Sequence, residues 1–258
     1  MSPAPRTPVP VRVTVDLPLY YLETVESTST YLKEWSRQER LCSGTALYAG
    51  EQTSGRGRRG NRWVHVPGNL AMTIWMAASD LPANPPWTLK MAWTLLGYFS
   101  EFGSTGFLKY PNDIHLDSES GKIAGILVER LNNGYLIGVG VNRFSPEEVE
   151  NAAGWEALPD HHAMALALSR RIRNQFSGSG KEMVPSDVIM EDLNRRLLWK
   201  GEWVAWKDTG SATLSLGKIV RLDETGRLEI SDPDGVTRYL PETVHAVRRV
   251  DPCEKSRP

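Results

Sequence analysis

The sequence predicts an α+β fold: hairpin-linked strands with helices on one side, followed by a small all-β barrel. Three observations carry that prediction. Two turn signals, Asp117-Ser118-Glu119-Ser120-Gly121 and Asn132-Asn133-Gly134, join consecutive apolar strands directly. Helical patterns stand between groups of strands instead of following each one, which argues against a doubly wound sheet. After Gly201 the texture changes, and Asp208-Thr209-Gly210, Glu224-Thr225-Gly226 and Asp234-Gly235 punctuate short strands at a spacing that suits a barrel of about 50 residues.

The elements follow in order. Residues 1 to about 16 are proline-rich and read as a loose arm. Residues 19–25 (LYYLETV) are a first strand, and a helical pattern starts near Thr30 with Tyr31, Leu32 and Trp35 on one face. Ser27, Thr28 and Ser29 precede it, so one reading of these hydroxyls is helix capping. Thr45 to Glu51 is a strand that runs into a glycine- and arginine-rich loop, and Asn69 to Met76 is another. Thr88 to Phe102 is apolar and long enough for a buried helix. Phe107 to Lys109 is a short strand edge that Pro111 and Asn112 break. Strands are expected from Lys122 to Glu129 and from Tyr135 to Val141. Residues 161–176 form an amphipathic helix, Ser177-Gly178-Ser179-Gly180 ends it, and Pro185 to Leu198 is the last helix.

Composition excludes several classes. The chain has 258 residues, 40% of them hydrophobic, with 30 lysines and arginines against 31 acids and a net charge of -1. That balance argues against coating nucleic acid through an overall field. Cys42 and Cys253 are the only cysteines, which rules out a disulfide scaffold or a C-x-x-C metal knuckle. The five histidines have no metal-ligand spacing, and no G-x-S-x-G elbow occurs. The first residues lack the apolar core of a signal peptide, and no run reaches about 18 apolar residues. A cytoplasmic protein with no membrane partner is expected.

The positive charge is concentrated in Gly55-Arg56-Gly57-Arg58-Arg59-Gly60, with Arg62 and Trp63 just after. Glycines free the backbone to wrap, and guanidinium forks match phosphate and carboxylate oxygens. The segment is no Walker loop, and its G-x-G-x-x-G match lacks a following helix. It reads as a loop built around a polyanion. Trp63 either stacks on a purine or fills core space. In Lys109-Tyr110-Pro111-Asn112-Asp113, Pro111 stiffens a turn from which Asn112 and Asp113 project, as turn formers or as metal and lysine partners. Lys122 opens an otherwise apolar strand, either facing solvent or returning beside Asn112 and Asp113 if the hairpin closes. Gly138-Val139-Gly140-Val141-Asn142 strips side chains from a strand end, where a ligand could approach the backbone.

These segments resemble, in order, those of biotin–protein ligases: Glu51 to Trp63, Lys109 to Asp113, Gly121 to Glu129 and Gly138 to Asn142, with an upstream Glu26-Ser27-Thr28-Ser29. The resemblance covers roughly residues 19–250. It implies a mixed sheet flanked by helices, like that of class II aminoacyl-tRNA synthetases, and a C-terminal SH3-like β-barrel. The expected division is an arm at 1–18, a catalytic biotin- and ATP-binding domain at 19–198, the SH3-like domain at 199–250 and a tail at 251–258. It implies two steps: biotin and ATP give biotinyl-5′-AMP, and one lysine of a biotin carboxyl carrier protein takes the biotin. Mg²⁺ accompanies ATP, and a homodimer is expected. By the same resemblance, Ser27, Thr28, Ser29 and Gln52 line the biotin pocket, and Arg56, Gly57 and Arg58 close over biotin and the adenylate phosphate. Arg59, Arg62, Trp63 and Asn142 belong to the nucleotide, with Trp63 on adenine. Asn112 meets the phosphates and the metal, and Asp113 positions. Lys122 touches both the carboxylate and the α-phosphate, so Lys122, Arg56 and Arg58 are the catalytic candidates.

The sequence departs from the family pattern at Ser29, where asparagine is common, at Tyr110, where tryptophan is frequent, and at Asn61, where a basic residue is common. The catalytic region starts near residue 19, leaving no room for a DNA-binding domain, so a ligase without a repressor role is expected. The segment Gly55 to Asn61 is expected to order on ligand binding. Competing readings are a lipoate–protein ligase of the same fold, a non-catalytic adenylate- or carrier-binding protein, and an RNA-binding protein.

Overall fold

The computed structural model describes residues 9–78, 85–176, 184–207 and 214–250, the side chains of 245 and 246 excepted. The Ser177-Gly178-Ser179-Gly180 joint, the Asp208-Thr209-Gly210 turn, Cys253 and the 251–258 tail lie outside the described residues. The chain divides into two compact units, Met1–Leu81 with Gly121–Met183, and Pro82–Ser120 with Val184–Pro258. The first unit opens with β1 (Val11–Arg12), β2 (Leu19–Val25), α1 (Thr28–Gln38), β3 (Thr45–Gln52), β4 (Gly55–Arg56), β5 (Arg62–Trp63) and β6 (Leu70–Ala77). The second contributes α2 (Trp87–Ser100), β7 (Phe107–Lys109) and β8 (Asp113–His115). The chain returns to the first for β9 (Lys122–Arg130), β10 (Gly134–Val141) and α3 (His161–Phe176). It ends in the second with α4 (Ser186–Arg195), β11 (Trp203–Lys207), β12 (Leu214–Leu222), β13 (Leu228–Ser231), β14 (Thr237–Leu240) and β15 (His245–Arg249).

The first unit is built on strands in the order β1-β2-β3-β6-β10-β9. Only β2 and β3, joined through α1, are parallel; the other neighbours are antiparallel, so the sheet is mixed as expected. Helix α1 starts two residues before the predicted Thr30 because Ser27 is its N-cap, its Oγ accepting from the Thr30 N–H at 3.4 Å. Its Leu32 enters a core with Leu22, Val25, Leu47, Ala49, Trp75 and Leu136, and Tyr31 and Trp35 pack at the edge. Strand side chains alternate in direction, so Leu47 and Ala49 face α1 while Tyr48 faces α3, whose His162 it contacts. On that second face α3 lies against β3 and β6 and buries Met164, Ala165, Leu168 and Ile172 at helical spacing.

Register gives the α1 face two ends of different bulk. Thr45, Trp75, Leu136 and Glu129 form one cross-strand row, and Leu47, Thr73, Gly138 and Leu127 the next on that face. The row after that is Ala49, Ala71, Gly140 and Gly125, small residues across four strands. A hollow is left over this last row.

In the second unit α2 is apolar nearly all round and almost wholly buried. The Arg196 guanidinium, just after α4, donates to the Leu96 carbonyl, Ser100 Oγ and the Thr105 carbonyl at 3.4, 2.9 and 3.1 Å. Strands β7 and β8 form a tight hairpin pairing Lys109 with Asp113, and the Tyr110–Pro111 peptide in its turn is cis. The five C-terminal strands lie in the order β14-β13-β12-β11-β15, all antiparallel. This corrects the expected SH3-like β-barrel: the sheet is open. Among the described residues no ladder joins its edge strands β14 and β15. Closely spaced turns dictate hairpins, whereas closure needs hydrogen bonds between the first and last strands and a matching shear, which no local pattern encodes. The sheet instead buries Val204, Trp206, Leu222, Leu228, Ile230 and Leu240, and Asn194 clamps both backbone groups of Leu222. No helix among the described residues is long and apolar enough to cross a membrane.

Candidate active site

The start of α1 and the end of β3 meet in a buried polar knot. Gln52 Oε1 accepts from the Thr28 N–H at 2.8 Å and from Thr28 Oγ1 at 2.9 Å. Thr28 Oγ1 lies 2.9 Å from Thr73 Oγ1 on β6, and Ser27 Oγ lies 3.2 Å from Ser29 Oγ. All five residues are buried. Buried polar groups must be paired to be tolerated, and these pair with one another at the N-terminus of a helix. The capping reading therefore holds for Ser27, while Thr28 is tied across the sheet. Ser27, Thr28, Ser29 and Gln52 are brought together; Thr73 was missed, although it is the only hydroxyl in the strand LAMTIWMA.

The arginine-rich segment is a small hairpin. Gly55 pairs with Trp63 and Arg56 with Arg62. The Thr53 N–H donates to the Val25 carbonyl and the Ser54 N–H to the Glu26 carbonyl, which hold its base beside β2. Arg58 to Gly60 make a single 3-10 turn, with Arg59 at φ 57° and Gly60 at φ 81°, and the Gly57 N–H closes it onto the Asn61 carbonyl at 2.7 Å. Left-handed backbone suits Gly60 and is unusual for an arginine. Arg56, Arg59 and Arg62 are exposed and Arg58 is half-buried. The Arg62 guanidinium donates to the Thr53 carbonyl at 3.4 Å.

Trp63 fills the hollow over the small-residue row. A Cβ on Gly140 would lie 2.3 Å from its ring, and one on Gly125 would lie 3.1 Å from the ring and 2.6 Å from Lys122 Nζ. Lys122, the first residue of β9, folds back over Gly125 with its ammonium 5.3 Å from the Trp63 ring centre, close enough for cation–π attraction. The two open readings thus meet in one place. Trp63 packs on the sheet, and Lys122 lies under the hairpin. Gly125, part of the lysine motif, was not singled out by sequence reasoning.

Asn142 is buried at the end of β10. Its Nδ2 donates to the Lys122 carbonyl at 3.4 Å and its Oδ1 accepts from Asn69 Nδ2 at 3.3 Å. Its N–H donates to the Ile123 carbonyl at 2.7 Å. It therefore fixes the backbone that carries Lys122. His65, two residues past Trp63, pins the hairpin exit to β3 through Nε2 and the Gly50 carbonyl at 2.8 Å, and burial holds its pKa below the ordinary value. Glu129, on the same face as Gly125, reaches Lys33 of α1 at 3.3 Å and Arg56 at 3.8 Å. Neither Glu129 nor Lys33 stood out in the sequence.

Asn112 and Asp113 belong to the second unit, at the turn and the first residue of β8. Among the described residues no group of three or more histidine, cysteine, aspartate or glutamate side chains could cage a metal ion.

Residues 21–142 match the model of the biotin/lipoate A/B protein ligase family. The chain is 32% identical over 169 residues to the bifunctional ligase/repressor BirA of Escherichia coli, covering 59% of this chain and 51% of that one. It is 32% identical over 143 residues to the biotin–[acetyl-CoA-carboxylase] ligase of Mycobacterium tuberculosis, covering 50% and 53%. The chain thus spans about half the length of the curated relatives it matches. The biotin protein ligase of Aquifex aeolicus, solved with biotin and ATP, superposes with a TM-score of 0.75 at 26% identity, over 90% of this chain and 99% of that one. The hydroxyl–amide knot, the arginine hairpin and the lysine-opened strand thus stand together in one unit, within a chain whose residues 21–142 match the biotin/lipoate A/B protein ligase family and whose fold is similar to that of a biotin protein ligase.

Proposed function

We propose that the chain joins biotin to ATP as biotinyl-5′-AMP and transfers the biotin to a lysine of a biotin carboxyl carrier protein or domain. The observation that carries this reading is a buried, neutral polar cluster standing beside an arginine-bearing hairpin. The Gln52–Thr28–Thr73 knot and the Ser27–Ser29 pair suit an uncharged ureido ring. Arg56 and Arg58 on the hairpin and Lys122 beneath Trp63 suit the anions that must meet.

In the first step a biotin carboxylate oxygen attacks the α-phosphorus of ATP, and the bond to pyrophosphate breaks. Two unit charges of like sign about 4 Å apart repel by about 4 kcal/mol at an effective dielectric of about 20. Lys122, Arg56 and Arg58 offset that repulsion and the charge growing on the phosphorus oxygens. Holding the reactants together supplies much of the rest, so no side-chain nucleophile is required. In the second step the neutral ε-amine of the carrier lysine attacks the anhydride carbonyl, AMP leaves, and the amine gives its proton to solvent. Arg59, Arg62 and Trp63 are assigned to the nucleotide. Asn142 acts through the Lys122 backbone, and Asn112, with Asp113 as a positioning group, is assigned to the phosphates. Mg²⁺ enters as part of the ATP substrate.

The test is to incubate the protein with ATP, Mg²⁺, biotin and an apo-carrier domain. A single mass increase of one biotin on the carrier, and biotin-dependent ATP–pyrophosphate exchange, are expected. Exchange driven by lipoate and not by biotin would overturn the substrate.

A further inference from the structure

We propose that Glu129 is a positioning residue for the hairpin: an internal carboxylate that occupies Arg56 while no anionic ligand is bound and releases it when one arrives. The identity of the ligand rests on the biotin-ligase reading; the contact itself does not. The Glu129 carboxylate sits on the sheet face below the hairpin, its side chain 20% exposed, with one oxygen serving two cations. Oε1 accepts a hydrogen bond from Lys33 Nζ at 3.3 Å. Arg56 Nη1 stands at 3.8 Å, beyond hydrogen-bond length, on a side chain that is 49% exposed. Oε2 is buried with no hydrogen-bond partner among the described residues.

This arrangement has a direction. The lysine contact leaves Glu129 one steady counter-charge whether or not Arg56 stays. The arginine contact is purely Coulombic and easily surrendered. A ligand carboxylate or phosphate can offer the guanidinium two parallel hydrogen bonds, which Glu129 does not. Arg56 therefore exchanges one anion for a better one, and the hairpin is never left with an uncompensated cation. Glu129 competes with the ligand, and Lys33 tempers that competition by drawing off part of the carboxylate's charge.

Two substitutions move the equilibrium in opposite directions. Glu129→Gln removes the competitor, so biotin binding measured by calorimetry should tighten, about twofold to fivefold for a partly exposed pair. Lys33→Met leaves the full carboxylate to Arg56, so binding should weaken by a similar factor. In ligand-free protein, hydrogen exchange of the residue 55–63 amides should be faster in Glu129→Gln and slower in Lys33→Met. With biotin and ATP bound, both should match the wild type. A merely structural role would weaken binding in both variants, and that result overturns the proposal. So does ligand-free exchange unchanged by either substitution. If the wild-type protein binds no biotin, the substrate reading fails by itself, and the ligand-free exchange pattern still decides the Glu129–Arg56 contact.

Discussion

Substituting Gly140 with alanine tests the placement of Trp63 most directly. The added Cβ would lie 2.3, 2.4 and 2.7 Å from Cζ2, Cε2 and Cη2 of the indole. Ordinary carbon contacts are about 3.5–4.0 Å, so the ring must move by more than about 1 Å. An alanine in a strand restricts the unfolded chain and returns about 0.4–1 kcal/mol. Overpacking costs about 1–3 kcal/mol, so net destabilisation is modest, and folding should survive with a Tm lowered by a few degrees. The activity loss should be larger. Trp63 is paired with Gly55 in the hairpin, so displacing the ring displaces Arg56, and an error of about 1 Å in a positioned group can cost about a hundredfold. Biotin-dependent ATP–pyrophosphate exchange should fall about tenfold to a hundredfold. In a Trp63→Ala background the same Gly140→Ala change should cost almost nothing, because the clash has gone. An equal loss in both backgrounds would refute the reasoning.

Four further outcomes follow from the site. Lys122→Ala should cut adenylate formation at least about tenfold, since in the proposed reaction it removes a charge that faces the α-phosphate; wild-type exchange rates would remove Lys122 from that role. Arg58→Gly should speed escape of the adenylate, and an unchanged dissociation rate on rapid dilution would contradict that. Gln52→Leu leaves the buried Thr28 N–H without its acceptor and the Thr28 hydroxyl with Thr73 Oγ1 alone. About 1–3 kcal/mol should be lost, read as a lower denaturation midpoint together with a raised KM for biotin; a midpoint at the wild-type value would show that the knot carries no weight. Burial lowers the pKa of both His65 and His161 below 6.5. Above that value both imidazoles are neutral in the folded and unfolded chain. As the pH falls below it the unfolded chain binds protons first, so stability is lost towards the depressed folded values. His161→Gln should flatten the fall in Tm as the pH drops below 6.5, and an unaltered slope would discount His161.

Much of the site was legible because its chemistry is written in contiguous runs. The arginines of the hairpin, Lys122 at a strand opening and the hydroxyls before α1 announce themselves by composition. Thr73, Gly125, Lys33 and Glu129 do not. Each is an ordinary strand or helix residue until register sets it beside a partner far along the chain, as when Thr73 meets Thr28 across 45 positions. The C-terminal strands show the same divide. Their turns gave the hairpins, yet whether β14 meets β15 is a question of long-range pairing, and the sheet stays open.

The sequence by itself determined the strand and helix order and the presence of a loop suited to polyanions, because turn residues, side-chain period and charge act over neighbours. Tertiary structure alone decided that Trp63 rests on Gly140, that Asn142 holds the backbone of Lys122, and that Glu129 stands between Lys33 and Arg56. Those relations depend on register between strands, where a slip of one residue would turn every one of these side chains to the opposite face.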